Sequence, residues 1–309
     1  MTGVDDHQGS AMVLVERDSE LRQLDRLLEE CFDGRGRVAL IEGATGSGKT
    51  ELLRYAAARA QNAGMMVRSA NCASSEAVLR FGVVNQLLYG AGIPAETTQR
   101  ILRRPLAEDP ETDGAADLAH VLHELGLILL DLSARQPLLI TVDDVQYADE
   151  LSLAALLHLV RRLDSARIVV LLAGSLASRP LDVPFRVGLT RSPGFRSLRL
   201  APLSLTGATE LVARQSDEVT ARRLAPALHE ATAGNPLLLT ALTEDFREVG
   251  GARTEGFGLA LLACLHRGEP ILIELARALA VLEAPMPHPR AVDLPAVPPA
   301  PAGGGLADG

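Results

Sequence analysis

Eight consecutive residues, Gly43-Ala44-Thr45-Gly46-Ser47-Gly48-Lys49-Thr50, fit the pattern G-x-x-x-x-G-K-[ST]. The chemistry of that pattern is capture of a phosphate chain. Glycines let the backbone curl until successive N–H groups point inward at phosphate oxygens. A helix starting near Lys49 would add the positive end of its dipole at the same spot. The Lys49 ammonium would reach the β- and γ-phosphates of a nucleotide, and the Thr50 hydroxyl would be a ligand to Mg²⁺. Lys49 is the one lysine among 30 basic residues; all the others are arginines. A compact ammonium thus stands where a planar guanidinium fork would not serve.

Two acids form the second chemical feature. The segment LLITVDD puts Asp143 and Asp144 directly after an apolar run. In a parallel sheet the strand C-termini gather at one edge, so both acids would share an edge with the phosphate loop. Asp143 is expected to hold Mg²⁺ through water, and Asp144 to polarise the attacking water. Two acids at a strand end could also do no more than cap the next helix. Their pairing with the loop favours the metal reading.

The elements that must position these groups are legible in the periodicity. Apolar runs at Val38–Ile41, Met65–Ser69, Leu138–Val142, Ile168–Ala173 and Ser197–Leu200 read as short buried strands. Helical stripes cover Ser19–Phe32, Lys49–Gln61, Glu76–Tyr89, Ala115–Leu132 and Leu151–Leu163. The polar stretch Ala107–Gly114 reads as a loop. Strands alternating with amphipathic helices predict an α/β fold with a parallel sheet covered on both faces. After Pro202 the strands stop, and Thr206–Arg214, Val219–Ala233, Pro236–Val249, Gly258–His266 and Pro270–Leu282 read as helices. The expected organisation is a disordered leader at 1–11, an α/β ATPase domain at 12–201, a helical lid at 202–283, and a disordered Pro/Ala/Gly tail at 284–309.

Composition narrows the function. The formal net charge of −9 and the lack of a basic run argue against direct nucleic-acid binding by this chain. Aromatics are only 3% and Trp is absent, so Leu, Ala and Val must build the core, which suits helices and α/β layers. Cys31, Cys72 and Cys264 are far apart and lack metal-ligand spacing, as expected for thiols in a reducing cytoplasm. The polar N-terminus is unlike a signal peptide, and the apolar run at Leu125–Leu130 is too short to span a bilayer; no membrane role is expected.

VERDSELRQL ahead of the first strand, GATGSGKT, VDDVQYAD and the later TAGNPLLL together resemble the STAND class of AAA-related P-loop ATPases. More narrowly they resemble the N-terminal ATPase of the large ATP-binding regulators of the LuxR family, and ACLHRGEP…ELARALAVLE adds to that match. The resemblance covers about residues 13–283. It implies a P-loop NTPase binding ATP or ADP with Mg²⁺ between the α/β domain and the lid. It also implies that Arg17 stands beside the adenine or phosphates, although Glu16 replaces the usual glycine. Pro236, in Gly234-Asn235-Pro236, matches a family proline that packs near the adenine. On the residues alone, that tripeptide is a helix stop and restart.

Two departures stand out. The strand Ile168–Ala173 is followed by Gly174-Ser175, where the family often places an arginine or polar sensor of the γ-phosphate, and Arg179 comes later. Family members also continue into a winged helix, helical repeats and a DNA-binding helix-turn-helix, none of which follows here. The resemblance therefore implies a truncated or degenerate member, or one acting through another chain, by self-association or with a full-length regulator.

Other signals are weaker. His120 and His123 beside Glu124 fit neither zinc-protease pattern. Ser47 lacks a nucleophile elbow. The pairs Arg103-Arg104 and Arg161-Arg162 read as solvated helix faces. The expectation is an ATP/ADP switch with slow hydrolysis, its output transcription regulation. A ring-forming or loading AAA ATPase, and a non-hydrolysing interaction module, stay open as alternatives.

Overall fold

A computed structural model describes residues 14–90, 93, 96, 114–175, 181–249 and 255–267. The expected leader at 1–11, the loop at 107–113, Arg103-Arg104, Arg179, the helix at 270–282 and the tail at 284–309 lie outside the described residues. The chain divides into two compact units, with the break between Ala201 and Pro202.

In the first unit, β1 (Arg37–Gly43), β2 (Met66–Asn71), β3 (Leu138–Asp143), β4 (Ile168–Ser175) and β5 (Phe195–Leu200) form one parallel sheet. Their order is β2-β3-β4-β1-β5. The middle of each central strand, Val38–Ile41, Leu138–Ile140 and Ile168–Ala173, is apolar because both faces are covered. Side chains alternate across a strand, so Val38 and Leu40 join Ile140, Val170 and Leu172 in one layer. Ala39 and Ile41 join Leu139, Leu171 and Leu198 in the other.

Helices α1 (Asp18–Phe32) and α2 (Lys49–Asn62) cover the second layer with Leu24, Leu28, Leu52 and Ala56. The first layer is covered by α3 (Gly82–Leu88), α4 (Gly114–Arg135), α5 (Glu150–Val160) and α6 (Val183–Thr190). Each fully buried Leu or Ile contributes about 2 kcal/mol, which makes the layers the main source of stability.

Two segments differ from the sequence expectation. The helix expected over Glu76–Tyr89 is a short 3-10 turn at Ser74–Glu76 followed by α3 from Gly82. Its start is set from far away: the Asp149 carboxylate accepts the N–H groups of Phe81 at 2.9 Å and Gly82 at 3.0 Å. Helix α6 has no counterpart in the periodicity. Its segment VPFRVGLT is poor in strong helix formers, and the fold supplies what composition lacks. Asp182 caps it by accepting the Phe185 N–H at 2.8 Å, a proline sits in the first turn, and Phe185 and Leu189 are buried.

In the second unit, α7 (Leu205–Ala213), α8 (Glu218–Thr232), α9 (Pro236–Val249) and α10 (Glu255–His266) follow one another. Ser204 and Asp217 cap α7 and α8 by accepting the N–H groups of Gly207 and Thr220. Between α8 and α9, Gly234 has φ +70°, and a Cβ there would lie 2.4 Å from the Leu203 carbonyl oxygen. Asn235 Oδ1 then accepts the Leu237 N–H at 3.1 Å, with Pro236 in the first helical position. The helix stop and restart expected of Gly-Asn-Pro is thereby realised. No helix of the described residues is long and apolar enough to cross a membrane.

Candidate functional site

Parallel pairing brings the chemical residues to one edge of the sheet. Gly43 at the end of β1 is in register with Ser175 at the end of β4, and Asp143 ends β3 on the other side of β4. The loop leaving β1 turns through Gly46 at φ +80° and Gly48 at φ +98°, a region in which a side chain is strained. Gly43 is needed for close approach, since a Cβ there would meet Ser47 Oγ at 2.6 Å.

Helix α2 follows with Gly48 as its N-cap, so no side chain accepts a hydrogen bond from its first turn. The helix dipole at that end favours an anion. The buried Ser47 Oγ has no hydrogen-bond partner among the described residues. A glycine-rich turn with an unpartnered buried hydroxyl at a helix N-terminus fits a phosphate group.

Lys49 is 6% exposed, and its Nζ donates to the carbonyls of Gly43 at 3.1 Å and Ala44 at 2.9 Å. The ammonium is held inside the loop's own curl. Thr50 Oγ1 donates to Asp143 Oδ2 at 2.6 Å, joining the two expected metal ligands across the sheet. An all-oxygen pair of hydroxyl and carboxylate fits Mg²⁺, which would take Thr50 directly and Asp143 directly or through water. The other Asp143 oxygen accepts the Asp144 N–H at 2.9 Å. Asp144 itself lies at φ +50°, which turns the chain sharply into the 3-10 turn Val145–Tyr147.

Arg17 is 4% exposed and reaches the same region. One of its terminal nitrogens donates to the Ala201 carbonyl at 2.6 Å and to the Ser47 carbonyl at 3.5 Å. Burial pushes its guanidinium below the ordinary arginine value, opposed by Glu20 and Glu16. Glu16 adopts φ +54°, the region that favours glycine. The other loop residues, Ala44, Thr45 and Gly46, stay accessible at the mouth of the turn. Pro236 belongs to the second unit, at the start of α9.

Three polar residues near these groups escaped the sequence reading. Gln146, 7% exposed, donates from Nε2 to Asp144 Oδ1 at 3.1 Å and accepts the Ser175 N–H at 3.2 Å. Asp149, the third acid of VDDVQYAD, caps α5 through the Ser152 N–H while holding the start of α3. Glu42, buried just before the loop, pairs with Arg186 of α6 at 2.9 Å. The signal for Glu42 and Asp149 was an acid inside or beside an apolar run, which a buried chain keeps only with partners; those partners are far away in sequence.

The family model for the AAA ATPase domain matches residues 13–172, just over half of the chain. The chain belongs to the AAA ATPase domain family. Among curated proteins, none matches the sequence. Among solved structures, this AAA ATPase domain is similar to Cdc6p from Pyrobaculum aerophilum, with 17% identity and a TM-score of 0.50 over 80% of this chain and 67% of that one. ORC2 from Aeropyrum pernix, solved in ADPNP–ADP complexes, is 18% identical with a TM-score of 0.49 over 83% and 70% of the two chains. A STAND protein with a tetratricopeptide repeat sensor from Pyrococcus horikoshii is 17% identical, with a TM-score of 0.43 over 82% of this chain and 32% of that one. At 17% identity the likeness to Cdc6p speaks for the fold alone.

Proposed function

We propose that this AAA ATPase domain binds ATP and ADP with Mg²⁺ at the β1, β3 and β4 ends and works as a slowly hydrolysing switch. The observation that carries the reading is the 2.6 Å contact between Thr50 Oγ1 and Asp143 Oδ2. It makes a hard-oxygen pair beside a phosphate cradle, the two halves a magnesium nucleotide needs. In this reading the N–H groups of Gly43–Thr50 bind the phosphates, and Lys49 turns from the Gly43 and Ala44 carbonyls to the β- and γ-phosphates. Bound Mg²⁺ would neutralise charge that develops on the phosphoryl oxygens. Arg17 keeps the loop in shape through the Ser47 carbonyl.

Asp144 orients a water whose oxygen bonds to the γ-phosphorus while the bond to the β–γ bridging oxygen breaks. ADP leaves with that electron pair, and the water's proton passes through Asp144 to solvent. ATP and ADP differ by the group this edge would sense, so their relative affinities shift the switch. Following the LuxR-family resemblance, the output is transcription regulation in the cytoplasm, through self-association or a full-length regulator chain. Pro236 as a nucleotide contact rests on that resemblance as well.

The test is to denature the purified protein and identify any released nucleotide by chromatography, beside a Lys49→Ala control. Stoichiometric ADP or ATP in the wild type alone is expected. An empty wild type that also fails to bind added Mg-ATP overturns the proposal. For the output, transcript levels in a Lys49→Ala strain are expected to change, and unchanged transcripts overturn the regulatory part.

A further inference from the structure

We propose that Gln146 is the positioning residue of this site, tying the carboxylate of Asp144 to the end of β4. The proposal rests on the reading of Asp144 given above.

Gln146 uses both ends of its amide. Oε1 accepts the Ser175 N–H at 3.2 Å, and Nε2 donates to Asp144 Oδ1 at 3.1 Å. Its orientation follows from donor and acceptor roles: a backbone N–H only donates and an ionised carboxylate only accepts. A flipped amide would set donor against donor and acceptor against acceptor. One arrangement therefore satisfies both partners.

The backbone makes this reach possible. The left-handed turn at Asp144 (φ +50°) folds Gln146 back over the acid two residues before it. The end of β4 is shaped to receive it. A Cβ at Gly174 would meet Gln146 Oε1 and Val145 Cγ1, each at 3.5 Å, so the side chain is packed against the strand end. Ser175 is in register with Gly43, the first residue of the phosphate loop. One buried side chain thus links the acid that follows β3 to the strand that adjoins the loop. Any shift of the β4 end is passed to Asp144.

No other side chain does both tasks at this position. Asparagine is one methylene short. Glutamate keeps the acceptor for Ser175 and sets a second carboxylate against Asp144. Leucine fills the space and loses both bonds.

The test compares wild type with Gln146→Glu and Gln146→Leu in the full chain. Amide hydrogen exchange at Ser175 is read without nucleotide; single-turnover ATP cleavage and Mg-ADP affinity are read separately. Ser175 exchange should rise about tenfold in Gln146→Leu and stay slow in Gln146→Glu, as the loss or retention of one acceptor requires. Cleavage should fall about tenfold or more in both variants while ADP affinity changes less than about twofold, the sign of misorientation rather than lost binding.

Cleavage at the wild-type rate in Gln146→Glu overturns the link to Asp144. Unchanged Ser175 exchange in Gln146→Leu overturns the link to β4. Equal loss of cleavage and ADP affinity overturns positioning in favour of a packing role. A wild type that binds ADP without cleaving ATP overturns the proposal alone. A wild type that binds no nucleotide is a different result: it sinks the reading beneath the proposal as well.

Discussion

The turns that leave β1 and β3 lie at the same sheet edge and are built by opposite means. After β1, the left-handed positions belong to Gly46 and Gly48, which adopt them without strain. After β3, the left-handed position belongs to Asp144, and side chains act there: Gln146 holds its carboxylate, and Asp149, after the turn, ties α5 to the start of α3. The first turn is a backbone device that many partners could use. The second is a side-chain network, in which the function of each residue depends on its neighbours. The charges differ too, with a buried ammonium at one turn and a group of acids at the other.

The largest effect should come from the charge at the first turn. Lys49→Ala removes a buried cation with its two hydrogen bonds, and with it the phosphate contact proposed above. Mg-ATP affinity should fall about 100-fold or more, measured by calorimetry. An affinity within a few-fold of wild type would mean that the backbone cradle alone suffices.

The tie made by Asp149 after the second turn comes next. Asp149→Ala leaves the N–H groups of Phe81, Gly82 and Ser152 without their acceptor. Unfolding in urea should show a loss of about 3 kcal/mol, from three caps in a mostly buried place. A loss near zero would make Asp149 dispensable and the second turn as self-sufficient as the first.

Exchanging the two turns' solutions sharpens the comparison further. Gly48→Ala puts a side chain at φ +98° and should cost about 1–2 kcal/mol, with weaker nucleotide binding. Asp144→Gly relieves φ +50° and should leave stability within about 1 kcal/mol of wild type while ATP cleavage is lost. If both variants lose the same stability, the glycine-versus-network distinction fails.

The smallest effect reads a buried thiol beside the acids. Burial, then Asp144, Asp143 and Asp149, push the Cys72 thiol from 9.0 up to about 12. A thiol whose folded value is raised favours the neutral form in the fold. Its contribution is complete below pH 9 and is lost as pH rises from 9 towards about 12. Urea midpoints across that range should fall less in Cys72→Ser than in wild type. Equal slopes would mean that neither burial nor the acids hold the Cys72 thiol neutral in the fold.

The sequence by itself determined the strands, the parallel α/β class and the residues Gly43–Thr50, Asp143 and Asp144. These are local signals: apolar runs buried on both faces, glycines at left-handed positions, acids at a strand end. It also carried the Gly234-Asn235-Pro236 break, because a helix stop is written in backbone chemistry. Only the tertiary structure decided that α3 begins at Gly82 and that VPFRVGLT is helical. It also decided that Thr50 touches Asp143, that Arg17 clamps the Ser47 carbonyl, and that Gln146 spans from Asp144 to Ser175. For α3, Thr50, Arg17 and Gln146 the deciding partner lies far along the chain or on a neighbouring strand; for VPFRVGLT burial of Phe185 and Leu189 decides beside a local Asp182 cap. Periodicity cannot announce a hydrogen bond whose acceptor is brought near only when the sheet closes.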